Sequence, residues 1–543
     1  MEGKAEIVSK ETIKPSSPTS NKLFKLSLLD QLAPPFYVPI LLFYSASDAT
    51  HNKPISHKLK ASLSQVLTLY YPFCGTLRDN STVECNDEGV VFTDCRVPME
   101  LSSLLKNPDL YHINHLFPCD PFNPAWETLT GNMAVQFNHF TCGGFALGVC
   151  FSHKIADAST AASFLTAWAA TSRGNKPILP QMEEGAQVFP PRKIEMDLIG
   201  GMMGDKSIVT KRFVFNRTNI SRLKQKLGSL DFTPTSVEAV TALICKSSLE
   251  AAKASSEEGK FPASMVSHAV NIRSRMAQTL SEHSIGNLSQ AAFSPVVEVE
   301  GELGLRDLCE RVRKTVRKID GNYVSKLQGD DIYKVMESLK EVRTMSFSSW
   351  VRFGFYETDF GWGKPSYVRT IGVPIKNVVI LMGTKVGDGM EAWITLTTRD
   401  MVGAENAISG RTSVENPRSG ADNPRSRADR ERENHGCHLI GGGRHLRKKE
   451  VVIFYRKIDD TWNTPEDRQN NSFSGEIPAG LVSEKIVFST GDPVTIILTK
   501  FGGIAQYAEK DISKETQLKT NVRKNVHGLK ISLGCLSSLE IMT

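Results

Sequence analysis

Residues 142–157 read Cys-Gly-Gly-Phe-Ala-Leu-Gly-Val-Cys-Phe-Ser-His-Lys-Ile-Ala-Asp. The uncharged apolar run Gly144–Phe151 has the length of one buried strand. It stops at Ser152-His153, and Asp157–Ala170 reads as a helix rich in small residues, ended by Arg173–Asn175. A histidine at that junction projects from the end of a rigid element, where it can face a cleft. Asp157, four residues on, is placed to cap the helix or hold a nearby cation rather than reach reacting atoms. H-x-x-x-D alone is a weak pattern, and a lone histidine at a strand end serves structure more often than chemistry. Its surroundings decide the reading.

Upstream, Met133–Phe140 reads as a partner strand, and Val83–Asp94 as a hairpin turning at Asn86-Asp87-Glu88-Gly89. Leu59–Leu69 has helical apolar spacing and is stopped by Tyr71-Pro72. The apolar run Phe36–Tyr44 contains a proline and is about half the length of a spanning helix. Downstream, residues 174–208 are rich in Pro and Gly without periodicity, as in a long crossover connection. The second half has expected strands at Lys211–Phe215, His268–Ile272, Ala291–Val299 and Val378–Gly383. Its expected helices are Asn219–Leu227, Ser236–Ala251, Leu303–Ile319 and Ile332–Lys340. Strands and helices alternate without a strict βαβ rhythm, so the expected class is α+β with mixed sheets. The expected organisation is an N-terminal domain at 1–173, the crossover at 174–208, a C-terminal domain at 209–402 and an atypical tail at 403–543.

The tail opens with a direct repeat, Glu415–Ala421 and Asp422–Ala428, rich in Arg, Asn and Pro, so disorder is expected there. Asn471–Leu481 looks like one leucine-rich repeat, which cannot bury its own apolar face. Across 543 residues, 65 Lys and Arg meet 59 Asp and Glu, a net charge of +6. That balance marks neither nucleic acid nor a membrane surface as a partner. Residues 1–25 have no apolar signal core, and the ten cysteines include no C-x-x-C pair. Reduced thiols in a cytoplasmic, monomeric protein are expected. Signatures of P-loops, dinucleotide folds, serine hydrolases and zinc proteases are absent. His435-Gly436-Cys437-His438 lacks a second ligand pair, so no metal is expected.

Residues 356–365 read Tyr-Glu-Thr-Asp-Phe-Gly-Trp-Gly-Lys-Pro, with two glycines flanking a tryptophan. D-F-G-W-G, some 200 residues after His153-Lys154-Ile155-Ala156-Asp157, is a specific combination. Leu69–Gly75 (LYYPFCG), Val270–Arg275 (VNIRSR), Glu282–Asn287 (EHSIGN) and Ser348-Ser349-Trp350 add to it in order. Over about residues 5–402 the chain resembles the BAHD acyltransferase family of plants, which transfer acyl groups from coenzyme A to alcohols and amines. The wording around His153, with Lys154-Ile155-Ala156, is similar to the branch of alkaloid O-acetyltransferases.

The resemblance implies two domains, each related to chloramphenicol acetyltransferase, with a channel along their interface. Acyl-CoA, with acetyl-CoA favoured, would enter one mouth as co-substrate and a small hydroxylated acceptor (an alkaloid, terpenoid or simple alcohol) the other. No permanently bound cofactor is implied. His153 would be the catalytic base, midway along the channel. Asp157 would turn away to pair with an arginine. Arg273 and Arg275, two apart on an expected strand, share a face, and either could serve. Asp359, Gly361, Trp362 and Gly363 read as loop maintenance. Ser349, Trp350 and Trp362 are the donors available to an oxyanion, and the choice among them stays open. The sequence departs from the family after Asp400-Met401, where Val402 onward does not resemble the family's final helix. The alternative is therefore a catalytically impaired member that binds acyl-CoA or acts as an interaction protein.

Overall fold

The computed structural model describes residues 4–412 except 47–54, 107–112, 124–130, 194–206, 257–259, 277–279, 297–303 and 327–341. Beyond 412 it describes three short strands. The first half supplies β1 (Glu6–Ile13), β2 (Leu23–Lys25), β3 (Tyr37–Tyr44), β4 (Thr76–Leu77), β5 (Thr82–Glu84), β6 (Val90–Val97), β7 (Met133–Phe140) and β8 (Phe145–Ser152). The second supplies β9 (Ile208–Phe215), β10 (Ser264–Asn271), β11 (Ser289–Phe293), β12 (Arg343–Ser349), β13 (Tyr367–Arg369), β14 (Val378–Gly383) and β15 (Met390–Thr397).

The run 145–152 carries no charge because β8 lies inside a mixed six-stranded sheet, β1-β6-β7-β8-β3-β13, and is buried at every residue. One face packs on the helices Ile55–Leu69 and Ala158–Ser172 through Leu63, Val66, Phe164 and Trp168. The other face packs on the helix Leu101–Lys106 and the segment around Leu116 and Phe117. A second mixed sheet runs β11-β10-β12-β14-β15-β9. Its helix-covered face meets Ser236–Ser255, Arg217–Lys226 and Thr398–Thr412. Each sheet mixes parallel and antiparallel pairs, in keeping with the α+β class.

The halves exchange material. Strand β13 comes from the second half yet pairs antiparallel with β3, Val368 opposite Leu42, at the edge of the first sheet. Trp350, Phe355, Phe360 and Val368 are buried in the first half's core. Residues 1–422 accordingly form one compact unit and 423–543 another.

Three expectations change. Val83–Asp94 is not a hairpin: β5 pairs with β2 and β4, while β6 pairs with β1 and β7. Asp87 and Gly89 adopt positive φ, and Asp87 is held by the Thr19 amide and hydroxyl, so the chain passes from one sheet to another. Within the 174–208 crossover, Glu184–Val188 is a short helix. The second half does not end at 402. Thr398–Thr412 is one helix, with Met401, Ala404 and Ile408 buried against the second core. Gly403 lets it approach the helix Ser236–Ser255 closely, since a Cβ there would stand 3.0 Å from that of Ala251. The packing element whose absence motivated the impaired-member reading is therefore present.

In the second unit β16 (Glu476–Ile477), β17 (Pro493–Ile497) and β18 (Ala505–Asp511) form an antiparallel sheet, ordered β16-β18-β17. The 415–428 repeat and the His435–His438 cluster lie outside the described residues, as does Ile332–Lys340. No helix among the described residues is long and apolar enough to cross a membrane.

Ile408→Ala removes a fully buried side chain from this last helix. It should destabilise the first unit by about 2–4 kcal/mol, read from the shift in its urea midpoint, and an unchanged midpoint would show that the helix is dispensable.

Candidate active site

His153 occupies the turn that joins β8 to the helix Ala158–Ser172. Its amide donates to the Phe36 carbonyl (2.8 Å), and its own carbonyl accepts from Asn287 Nδ2 (2.6 Å). The ring packs edge-on against Phe36, 5.5 Å between centroids. Nδ1 is buried without a hydrogen-bond partner. Burial lowers the His153 pKa below the usual imidazole value. Its own carbonyl and the Asp157 charge oppose that shift only in part.

Asp157 is the N-cap of the following helix, one of the two roles its position allowed. Its Oδ1 accepts from the Thr160 amide at 2.8 Å. The same carboxylate meets Arg273 through Nη1 (2.8 Å) and Nη2 (3.1 Å). Arg273 is 1% exposed and also donates to the Ser284 and Gly286 carbonyls. Arg275 goes elsewhere, to the carbonyls of Val316 and Ile319. The strand expected to carry both arginines ends at Asn271, and Arg273–Arg275 is a tight helical turn. Two residues along such a turn rotate the side chain through most of a circle, whereas two along a strand return it to the same face.

Two further groups belong to the site: Asp30, which no motif included, and Asn287, to which the sequence assigned no role. Asp30 is buried, and its carboxylate accepts from the Asn287 amide (2.6 Å) and Nδ2 (2.9 Å) and from the Ser27 amide and hydroxyl. Burial raises its pKa, with Ser27 and Asn287 opposing. Asn287 thus bridges Asp30 to the main chain of His153. The signal within reach was Ser27-x-x-Asp30, the spacing of a capping box. Asn287 closes the Glu282–Asn287 motif, which entered the resemblance without a role for this residue.

The D-F-G-W-G segment is remote from the histidine and packs on the first half's aromatic core. Trp362 stacks on Phe360 and meets Tyr44 and Phe145 edge-on. Asp359 Oδ1 accepts from the amides of Gly361 (2.7 Å) and Gly363 (3.0 Å), both glycines having φ above +100°. Arg173 donates to the Asp359 carbonyl and Ser172 to that of Phe360. Of the three donors considered for an oxyanion, Trp350 gives its indole N–H to Ser348 Oγ (3.0 Å). The Trp362 N–H is buried within the aromatic core. Ser349 lines a cavity.

That cavity, of about 910 Å³, lies among the helices Ala158–Ser172, Ser236–Ser255 and Leu305–Arg317 and the ends of β10 and β12. Five arginines (273, 275, 313, 317 and 352) line it against two glutamates, Glu238 and Glu282. A second cavity of about 630 Å³ includes Phe122, Gln136, Thr210 and Ile371 in its wall. His153 itself lines neither of the two. It is tied to the first through Asp157–Arg273 and to the second through Phe36, which packs against Phe122 at 5.4 Å. No cluster of three or more His, Cys, Asp or Glu suited to a metal occurs among the described residues.

The family model described as the Transferase family matches residues 3–409. Stemmadenine O-acetyltransferase of Catharanthus roseus is 39% identical over 408 residues, covering 73% of this chain and 95% of that protein. Vinorine synthase of Rauvolfia serpentina is 37% identical over 410 residues, with the same coverage. Limonoid 1-O-acetyltransferase of Citrus sinensis is 37% identical over 421 residues, covering 73% of this chain and 94% of that protein. The crystal structure of vinorine synthase matches with a TM-score of 0.67 at 35% identity, over 75% of this chain and 98% of that one. F. sporotrichioides TRI101 complexed with coenzyme A and T-2 shares the fold at TM-score 0.57 and 19% identity, over 71% of this chain and 97% of that one.

Losing the Asp157 carboxylate strands a buried guanidinium. Asp157→Ala should cost about 3–5 kcal/mol, and combining it with Arg273→Met should cost less than the sum of the two single changes. Arg275→Met should leave Asp157 unaffected and add independently. Urea denaturation of the set reads all three, and additivity between 157 and 273 would contradict the pairing.

Proposed function

Because the chain belongs to the BAHD acyltransferase family of CoA-dependent transferases, we propose that it acylates a hydroxyl of a plant specialised metabolite with His153 as the general base. The observation that carries the reading is an enclosed histidine with a lowered pKa, held by its main chain at the end of a buried strand. Such a ring is neutral at physiological pH and can accept a proton. With Nδ1 enclosed, Nε2 is the nitrogen that meets the acceptor hydroxyl.

As the acceptor O–H bond breaks, its proton goes to Nε2 and the oxygen attacks the thioester carbonyl. The tetrahedral oxyanion needs a donor, and the Ser349 hydroxyl at the cavity wall is the one of the three that is neither tied to its own segment nor packed in the core. The C–S bond then breaks, and the CoA thiolate takes the proton back from His153. No side chain carries the acyl group. The cavity of about 910 Å³, with Arg317 and Arg352 in its wall beside the paired Arg273, Arg275 and Arg313, suits the phosphates of CoA. Acetyl-CoA is the favoured donor, supported by relatives named as O-acetyltransferases of stemmadenine and of limonoids. A hydroxylated alkaloid or terpenoid is accordingly the favoured acceptor class. Asp359 and its glycines hold the β12–β13 connection, and Asp157 with Arg273 positions the turn.

Purified protein with acetyl-CoA and a panel of hydroxylated alkaloids and terpenoids should release free thiol only when an alcohol is present. His153→Ala should lower that rate by about 10²–10⁴ without lowering the melting temperature to match, and full activity in this variant would remove His153 from the mechanism.

The pH dependence has a definite sign. The base works deprotonated and its pKa lies below 6.5, so kcat/KM should rise through that depressed pKa and be level from about pH 7 upward. A limb centred above pH 7 would assign the titration to another group.

A further inference from the structure

Outside the site just described, the face of the second sheet away from its helices carries a group of charges that does not balance. On β15 and β9, Glu391 accepts from Arg212 through Nε (2.7 Å) and Nη2 (2.6 Å) and from the Tyr367 hydroxyl (2.9 Å). Both carboxylate oxygens are thereby engaged. Arg369 on β13 lies beside this group and is fully buried, with its guanidinium 4.2 Å from the centroid of the Trp393 ring. Its Nε donates to the Thr370 carbonyl at 3.2 Å. Its Nη1 and Nη2 are buried and find no acceptor among the described residues, and the same holds for Trp393 Nε1.

Two guanidiniums therefore face one carboxylate, leaving a single positive charge. Beside it stand three nitrogens that can only donate. Buried donors of this kind are costly unless an acceptor meets them. Burial lowers the Arg369 pKa to about 10, so the residue still carries its charge at neutral pH. Residues close to this group in sequence and in strand register line the second cavity. Its wall includes Thr210, Ile371 and Gly372. Ile371 and Gly372 follow Arg369 in the chain, and Thr210 pairs with Thr395, two residues beyond Trp393.

We propose that Arg369 Nη1 and Nη2, with Trp393 Nε1, form a binding site for a small monovalent anion of halide or carboxylate size. The anion neutralises the excess charge between the two sheets and so strengthens the junction where β13 crosses from one half to the other. The site is separate from His153, Asp157 and Ser349 and does not depend on the acyl-transfer reading.

The test uses the full chain at constant ionic strength, with sodium chloride, acetate or gluconate as the salt. Gluconate is too bulky for an enclosed site. Chloride or acetate should raise the melting temperature saturably, by a few degrees, relative to gluconate. Whichever of the two saturates at the lower concentration identifies the occupant as halide or carboxylate. Arg369→Met should abolish the difference, and Trp393→Phe should raise the half-saturating concentration. If neither variant folds, bromide soaked into crystals of the unaltered protein should give an anomalous peak within hydrogen-bonding reach of both Arg369 Nη atoms. Identical melting in all three salts, or water alone at those nitrogens in bromide-soaked crystals, would overturn the proposal.

Discussion

The position of the turn that carries His153 depends on one buried ion pair whose members come from opposite halves of the chain. Arg273 has left water almost completely, which is expensive for a guanidinium unless its donors are matched. They are matched here by both Asp157 oxygens, Thr160 Oγ1, Asn271 Oδ1 and the carbonyls of Ser284 and Gly286. Asp157 also caps the helix Ala158–Ser172, so the pair fixes where that helix begins. Ala156 bridges to Gly286, and the next residue, Asn287, holds the His153 carbonyl. A segment of the second half is thus bonded to both ends of the turn that carries the histidine.

The exchange of β13 works in the same direction on a larger scale. The hydrogen bonds of Tyr367–Arg369 complete the edge of the first sheet, and the aromatic residues from Trp350 to Phe360 fill the first half's core. The D-F-G-W-G turn belongs to this anchoring. Its aspartate side chain replaces a missing secondary-structure partner for two glycine amides, and its tryptophan stands among Tyr44, Phe145 and Phe360. A segment 200 residues from the histidine is thereby tied into the first half's core.

What was legible in the sequence follows from range. The apolar run into His153 and the helix after it are local patterns, and their elements lie where periodicity puts them. The split between the arms of Val83–Asp94 was not legible, because a turn between strands looks the same whether or not the strands pair. Arg273 and Arg275 were equivalent only under a strand periodicity that ends two residues too early. Asp30 and Asn287 lie 257 residues apart, and no spacing rule joins them. The last helix was obscured by Gly403, Ser409 and Gly410, poor helix formers in isolation. Here Gly403 is favourable because the neighbouring helix passes close by.

The arrangement of charge around His153 has its own logic. An imidazole keeps a low pKa only if it is not surrounded by free carboxylates, since each favours its charged form. Two carboxylates do stand nearby, Asp30 and Asp157, and both raise the imidazole pKa to some degree. Each is occupied by other donors: Asp157 by a guanidinium and a helix amide, Asp30 by Ser27 and Asn287. Burial outweighs both, and the imidazole pKa lies below its usual value. The hydrogen bonds that engage Asp30 also reach the histidine's main chain through Asn287, so one network touches both the placement and the electrostatics of the ring.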